Sequence, residues 1–337
     1  MTDTVFVTGG TGHLGRSLLP LLAQSGFRVR TLTRRPQDHA WLQALPNVEI
    51  ISGAVEDAAL MNKAVVGCRY VIHAAGLFSF WGLAGDFNQT NLKGTQNVLN
   101  AAVAAGVEKF IHISTVVVIG TPQRGRVIDE SYPPAPVDPY QVSKYEGECA
   151  VLAAHRDHGL AAVVLRPGAF YGPHSRYAFN RLFIEDPLKG IRLQVNGGRN
   201  LTFPIYVGDV ARAAILALTQ GIPGERYNLS NPPITHKAVN RIVSEEAGIP
   251  RWRINVPNGA LVILARAWEA ISRLTRIEPY YPINLRTYVF YDWNVSSEKA
   301  RVGLGFQPIS FAEGVRHTLA WYHQIGLWKG KHTPAPR

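Results

Sequence analysis

Cysteine is scarce in this chain: two among 337 residues, Cys68 and Cys149, far apart and in no C-x-x-C spacing. That excludes a disulfide scaffold and a thiolate metal knuckle, and leaves the ordinary reduced thiols of a cytosolic protein. Long apolar runs are lacking too. None reaches the roughly 18–20 residues that span a bilayer. The nearest, GALVILARAWEAISRL at 259–274, is broken by Arg266, Glu269 and Arg273. No basic stretch followed by an apolar core precedes TVFVTGGTG, so no secretory signal is expected and a cytoplasmic location is. Acidic residues are in deficit, 24 against 35 Lys and Arg, for a net charge of +11. The excess is scattered: Arg28, Arg30, Arg34 and Arg35 form one cluster and WKGKHTPAPR another. No nucleic-acid module accompanies it, so no nucleic-acid partner is expected. What remains is an ordinary globular composition, 46% hydrophobic and 18% charged.

Short runs rich in Val and Ile at 5–9, 29–33, 48–53, 70–76, 109–115 and 161–167 read as strands. Helix-length segments lie between them and end at Gly26, Gly67, Gly106 and Gly159. Glycine just past a last turn accepts the left-handed cap conformation. Strand and helix alternating in this way predict an α/β fold, a doubly wound parallel sheet covered on both faces. After Pro167, Pro and Gly become frequent and the rhythm loosens, with one more helix at 208–221 and a strand at 227–230. The expected division is a nucleotide-binding domain over 1–170, to which helix 206–221 returns, and a smaller substrate lobe from 171–205 and 222–330. No internal repeat is visible.

VFVTGGTGHLGRSLL sets Gly9, Gly12 and Gly15 between the first strand and the first helix, with His13 and Leu14 in the same turn. There the chain must turn sharply and let a ligand approach its backbone, while the helix N-terminus offers free N–H groups to a pyrophosphate. At the start of a βα repeat this is the Rossmann dinucleotide signature. The second strand ends not in an acidic residue but in Thr33, Arg34 and Arg35. A guanidinium suits a 2′-phosphate, so NADP is expected ahead of NAD, with Arg34 the first candidate and Arg35 the second.

DPYQVSKYEGE at 138–148 poses a choice between two tyrosines. Asp138 can cap a helix and Pro139 can sit in its first turn. Tyr140 and Lys144 are then four apart and share a face, whereas Tyr145 is turned away by about 100°. A phenol beside a fixed ammonium should be more acidic than its usual pKa near 10, fit to exchange a proton with an alcohol or ketone. Tyr140 is therefore the candidate acid–base group, Lys144 its partner and a cofactor contact, and Tyr145 a packing residue.

Together, TGGTGHLG, VIHAAG, NLKGTQNV, HISTVVVIG, PYQVSKYEGE and LRPGAFYGP resemble the extended short-chain dehydrogenases/reductases over most of the first 175 residues. The resemblance implies an NAD(P)-linked enzyme with a third catalytic hydroxyl at Thr115, Ser114 being the fallback. It implies that Ala74, Ala75 and Gly76 line the cofactor with Pro167 and Gly168, that Asn91 fixes the sheet–helix junction nearby, and that the chain forms a homodimer through a helix face. One departure is Gly53–Ala54, where relatives commonly have Gly-Asp. The acidic contact to the adenine is absent there, and Asp57 is the one possible substitute. Sugar-nucleotide dehydratases have an acidic pair where this chain has Val116 and Val117, and epimerases commonly an Arg-Asp pair where it has Thr202 and Phe203.

GLFSFWG at 76–82 falls at the carboxyl edge of the fourth strand, where α/β ligands bind. Phe78, Phe80, Trp81, Phe170 and Tyr171 are the candidate substrate contacts, with 177–183 adding apolar surface. The chain's ending is similar to that of 3β-hydroxysteroid dehydrogenase-like and dihydroflavonol reductase-like members. The expectation is a ketone–alcohol oxidoreductase acting on a lipophilic, sterol-, terpenoid- or polyketide-like molecule. The alternatives are a sugar-nucleotide epimerase and, third, a non-enzymatic cofactor-binding regulator. Segment 259–274 either covers a core or touches a membrane surface. No metal is expected: His155 and His158 lack further ligands, and His73 and His112 read as hydrogen-bonded core residues.

Overall fold

The computed structural model describes residues 2–330; the end of the terminal basic cluster, 331–337, lies outside them. Seven parallel strands form one sheet: β1 (Thr4–Thr8), β2 (Arg28–Thr33), β3 (Val48–Ser52), β4 (Tyr70–His73), β5 (Lys109–Ile113), β6 (Ala162–Pro167) and β7 (Arg226–Leu229). Their order across the sheet is β7-β6-β5-β4-β1-β2-β3. The order reverses between β1 and β4, which opens a crevice at their carboxyl ends.

Five helices cover the two faces. α1 (Gly15–Gln24) and α5 (Val207–Gln220) pack on one through Leu18, Leu22, Val210 and Ala214. α2 (Ala58–Ala64), α3 (Gly94–Ala104) and α4 (Pro139–His158) pack on the other through Met61, Val98 and Val151. The central strands β1, β4, β5 and β6 are buried on both sides, which is why they read as nearly continuous apolar runs. Gly26, Gly67, Gly106 and Gly159 all take positive φ at the helix ends, as their placement predicts.

The lobe over the carboxyl edge holds α6 (His236–Ala247), α7 (Asn258–Thr275) and α9 (Phe311–Gln324), of which α6 and α9 share a separate core with Tyr171 and Phe179 through Val243, Val315 and Leu319. The division read from the sequence needs one change. β7 is hydrogen-bonded to β6, and α8 (Glu298–Leu304) packs against β7 and α5. The stretch 222–330 is thus split between lobe and sheet, because a short strand after a loop carries no local mark of which sheet it will join. α7 is two-sided. Ala265 and Ser272 are buried, while Ile263 is 72%, Ile271 55% and Leu274 86% exposed. No helix among the described residues is long and apolar enough to cross a membrane.

Candidate active site

The glycine-rich turn after β1 and the loop after β4 lie side by side at the crevice. Gly9 has φ +73°, and a Cβ on it would sit 2.7 Å from the Ala74 backbone, so only glycine lets the two loops approach. Gly12 donates its N–H to the Gly9 carbonyl at 3.0 Å, closing the turn. A Cβ on Gly15 would collide with the Gly10 carbonyl, so Gly15 serves helix–strand packing. His13 projects from the turn with its Nε2 buried and no hydrogen-bond partner among the described residues. Burial lowers its pKa to about 4, so it is neutral. A cradle of glycines, a helix N-terminus and an orphaned donor–acceptor atom suit a dinucleotide.

A chain of hydrogen bonds ties this loop to α4. Ala74 and Ala75 donate their N–H groups to Thr8 Oγ1 at 3.1 and 3.0 Å, and Thr8 is bonded to His73 Nδ1 at 2.7 Å. His73 Nε2 meets Thr95 Oγ1 at 2.9 Å, and Thr95 donates to the Asn91 carbonyl at 2.6 Å. Thr95 thus spends its own proton on Asn91, so the imidazole proton sits on Nε2. Burial, with a smaller contribution from Lys144, lowers the His73 pKa to about 3 and keeps the ring neutral. The Asn91 side chain receives the Leu77 N–H at 2.7 Å and donates to the Leu77 carbonyl at 3.0 Å and Ser143 Oγ at 2.9 Å. Ser143 donates to the Tyr140 carbonyl at 2.8 Å. Thr8, Thr95 and Ser143 had no sequence signal, being small hydroxyls whose partners are distant in the chain. His112 corrects the expectation made for it. It stacks on His73 at 5.5 Å, but neither of its ring nitrogens has a partner among the described residues.

Asp138 caps α4 by accepting the Gln141 N–H at 2.8 Å, which sets the face that Tyr140 and Lys144 share. Both line a cleft of about 300 Å³, as does Thr115, whose hydroxyl donates to the Pro167 carbonyl at 3.5 Å and lies within reach of the Tyr140 phenol. Ser114, although in the same wall, donates to Glu148 at 2.8 Å, which leaves Thr115 as the available hydroxyl. Tyr145 is half-buried and outside the cleft.

The acidity expected of Tyr140 is overturned in this structure. Burial pushes the phenol well above its ordinary value, the Asp138 carboxylate adds to this, and the Thr115 hydrogen bond opposes it. Lys144 Nζ donates to the Ile113 carbonyl at 2.7 Å. Burial lowers the Lys144 pKa to about 8, with Glu148 working the other way. For both groups the loss of water is the largest cause, and neither is shifted by the other.

Of the remaining candidates, Gly9, Gly12, His13, Leu14, Ala74, Gly76, Pro167 and Gly168 line the cleft. Thr33, Arg34 and Arg35 do not; they lie at the carboxyl end of β2. Arg35 reaches Asp38 at 3.9 Å, and Arg34 is exposed with no acidic partner among the described residues. Asp57 is a capping residue, its carboxylate accepting the Leu60 N–H at 2.9 Å. Phe78, Phe80 and Phe170 line the cleft, and Phe78 lies 4.8 Å from the Tyr140 ring.

Trp81 and Tyr171 do not line it. The bonds between Ser79 and Trp81 form a tight turn that puts Phe80 in the cleft and Trp81 outside. Tyr171 follows Phe170 on a strand, so it faces the opposite way, into the lobe core against Phe179 and Phe311. The sequence missed Leu285, Tyr288 and Val289, which a late return of the chain brings to the cleft. No local pattern marks them.

The family model described as NAD dependent epimerase/dehydratase matches residues 5–230. A Stigmatella aurantiaca enzyme named 4-hydroxy-2-methyl-3-oxo-4-farnesyl-3,4-dihydroquinoline-1-oxide ketoreductase is 31% identical over 310 residues, 89% of this chain and 91% of its own. A putative dihydroflavonol 4-reductase of Synechocystis is 28% identical over 340 residues, 98% of this chain and 97% of its own. The crystal structure of a double mutant of the dTDP-glucose 4,6-dehydratase DesIV from Streptomyces venezuelae, with NAD bound, has a TM-score of 0.76 at 25% identity and covers 96% of this chain and 98% of its own. With the fold, the glycine turn and the Thr–Tyr–Lys cleft in agreement, this chain belongs to the NAD-dependent epimerase/dehydratase family, the extended short-chain dehydrogenases/reductases, and is an NAD(P)-dependent enzyme of that group.

Proposed function

We propose that the protein is an NADP-dependent reductase of a ketone on a lipophilic, sterol-, terpenoid- or polyketide-like molecule. One observation carries this reading: the wall of the cleft. Among the described residues that line it none is Asp, Glu or Arg, and Lys144 is its one charged side chain. A sugar nucleotide would bring a second pyrophosphate to be neutralised, and this wall has nothing to neutralise it. Val116 and Val117, where dehydration would need acids, are buried and apolar. Phe78, Phe80, Tyr177, Phe179 and Phe183 instead offer broad apolar surface. The farnesylated substrate in the name of the Stigmatella relative fits the same chemistry.

The glycine turn and Lys144 would hold the dinucleotide. When bound, its nicotinamide supplies the hydride. Thr115 orients the ketone oxygen and Tyr140 donates the proton to it. Burial keeps the phenol protonated, the form that a proton donor needs. Purified protein given NADPH and a panel of lipophilic ketones should consume NADPH steadily. Isomerisation of a UDP-sugar without net consumption would instead establish the epimerase, and tight cofactor binding with no turnover the regulator.

The pH profile follows from Lys144. Its pKa is lowered to about 8, so the ammonium prevails only below that value. The kcat/KM for reduction should be level up to about pH 8 and fall above it, and Lys144→Met should lose that limb along with most of its activity. Cofactor choice is tested at the end of β2. Arg34→Ala with Arg35→Ala should weaken NADPH about 10-fold or more, as expected for losing charge-assisted bonds to a phosphate, and NADH little. Equal weakening of the two would refute the NADP assignment.

The outer face of α7 is proposed to rest on a membrane surface. Its exposed Ile263, Ile271 and Leu274 are flanked by the exposed Arg266 and Arg273. The protein should co-float with vesicles containing anionic lipid, and Ile263→Glu with Leu274→Glu should abolish this. Flotation unchanged in that variant would remove the proposal.

A further inference from the structure

Behind the cleft lies a second cavity of about 110 Å³ under α7. Leu182, Phe183, Leu285 and Val289 belong to the walls of both, so only apolar side chains separate them. Leu261, Val262 and Ala265 of α7 form its roof, and Ile191, Leu193 and Val195 much of the remainder. Gln194 and the exposed Arg286 also line it, and two of its polar groups, Asp186 and Tyr281, are paired with each other. Asp186 accepts hydrogen bonds from Tyr280 and, at 3.0 Å, from Tyr281. His236 lies edge-on to Phe183 at 5.1 Å, and its Nε2 is buried without a partner among the described residues. Burial lowers the His236 pKa to about 4, so the ring is neutral and sets no charge against an apolar neighbour.

We infer that this chamber is a subsite for an apolar arm of the substrate, so that the enzyme selects ketones carrying a short branched hydrocarbon chain or small ring beyond the reacting group. The inference rests on the reductase reading and deepens it. The cleft at the Tyr140 hydroxyl is shared by cofactor and reacting carbonyl, which leaves the rest of a lipophilic substrate to be housed elsewhere. The neighbouring apolar space, open on its outer side where Ile191 and Leu193 are partly exposed, is across the four shared side chains. Its size sets the arm: a dry cavity of about 150 Å³ holds one benzene ring, so this one suits roughly one prenyl unit and not a whole sterol. Side chains such as Leu182 and Leu285 can change rotamer to admit it without moving backbone.

The test compares two ketones with the same reacting ring, one bearing a prenyl arm and one a methyl group. The intact protein should favour the prenyl ketone in kcat/KM by about 10-fold or more, the scale on which a hydrophobic pocket discriminates by size. Ala265→Phe and, separately, Val262→Phe fill the chamber from the roof. Each should bring that ratio down toward one, chiefly by raising KM for the prenyl ketone. A ratio that survives both variants overturns the inference.

A second readout needs no turnover. Trp268 stacks at 5.7 Å on Tyr281, a chamber wall residue. A ketone with bromine at the end of its prenyl arm should quench emission that Trp268→Phe lacks, and Ala265→Phe should suppress the quenching. Quenching undiminished in Ala265→Phe also overturns the inference. Should no ketone be reduced while arm-dependent quenching persists, the reductase reading fails and the chamber stands.

Discussion

Replacing Tyr140 by Phe should lower kcat for ketone reduction by about 10²–10⁴-fold, the usual contribution of a positioned general acid. Cofactor affinity should hardly change, because the phenol's own bonds are to Thr115 and the incoming oxygen, while the Phe78 and Phe87 rings keep the aromatic side chain in place. The split is diagnostic. A structural role would lower stability and cofactor binding together, whereas a proton donor is lost from kcat alone. Thr115→Val should reproduce part of the effect and Ser114→Ala much less, since the Ser114 hydroxyl is engaged with Glu148 and not with the cleft. Stopped-flow NADPH oxidation with tryptophan-monitored cofactor titration measures both quantities. Retention of kcat in Tyr140→Phe would refute the acid–base assignment.

Glu148→Ala should be the most destabilising single change, by about 3–5 kcal/mol, because it leaves a buried charge without its partner. Glu148 and Arg166 are both within 1% of full burial. Arg166 Nε donates to Glu148 at 3.0 Å, and Arg226 adds a bond at 2.8 Å. The carboxylate thus joins α4, which carries Tyr140 and Lys144, to the last two strands of the sheet. Burial alone would raise its pKa, but Arg166, Ser114 and Arg226 together outweigh burial and hold it below the ordinary value. The sign follows: this stabilisation is complete above the unfolded value near 4.5 and is lost as pH falls through the lower folded value. Urea midpoints of the two proteins should converge in acid and diverge toward neutrality. A constant gap would mean that shape and not charge is at stake, and Glu148→Gln separates the two.

Much of the site could be read directly because its signals are local. The glycine spacing after the first strand, the Asp138–Pro139 helix start and the Tyr140–Lys144 interval each report backbone geometry within a few residues. The helix stops succeeded for the same reason. Where the sequence misled, the deciding quantity was non-local. Tyr171 looks as aromatic as Phe170, and one residue of strand phase separates cleft from core. The acidity of Tyr140 depends on how much protein surrounds it, and helical spacing to a lysine says nothing of burial.

The sequence by itself determined the layered α/β architecture, the glycine turn and the placing of Tyr140 and Lys144 on one helix face, since these follow from periodicity, caps and glycine stereochemistry. Only the tertiary structure decided that β7 joins the sheet, that the Ser114 hydroxyl is taken up by Glu148, and that Leu285, Tyr288 and Val289 help to wall the cleft. It also decided that the cleft is free of acids and arginines and has an apolar chamber behind it. These features depend on which distant side chains desolvate one another, and that is settled when the chain closes on itself.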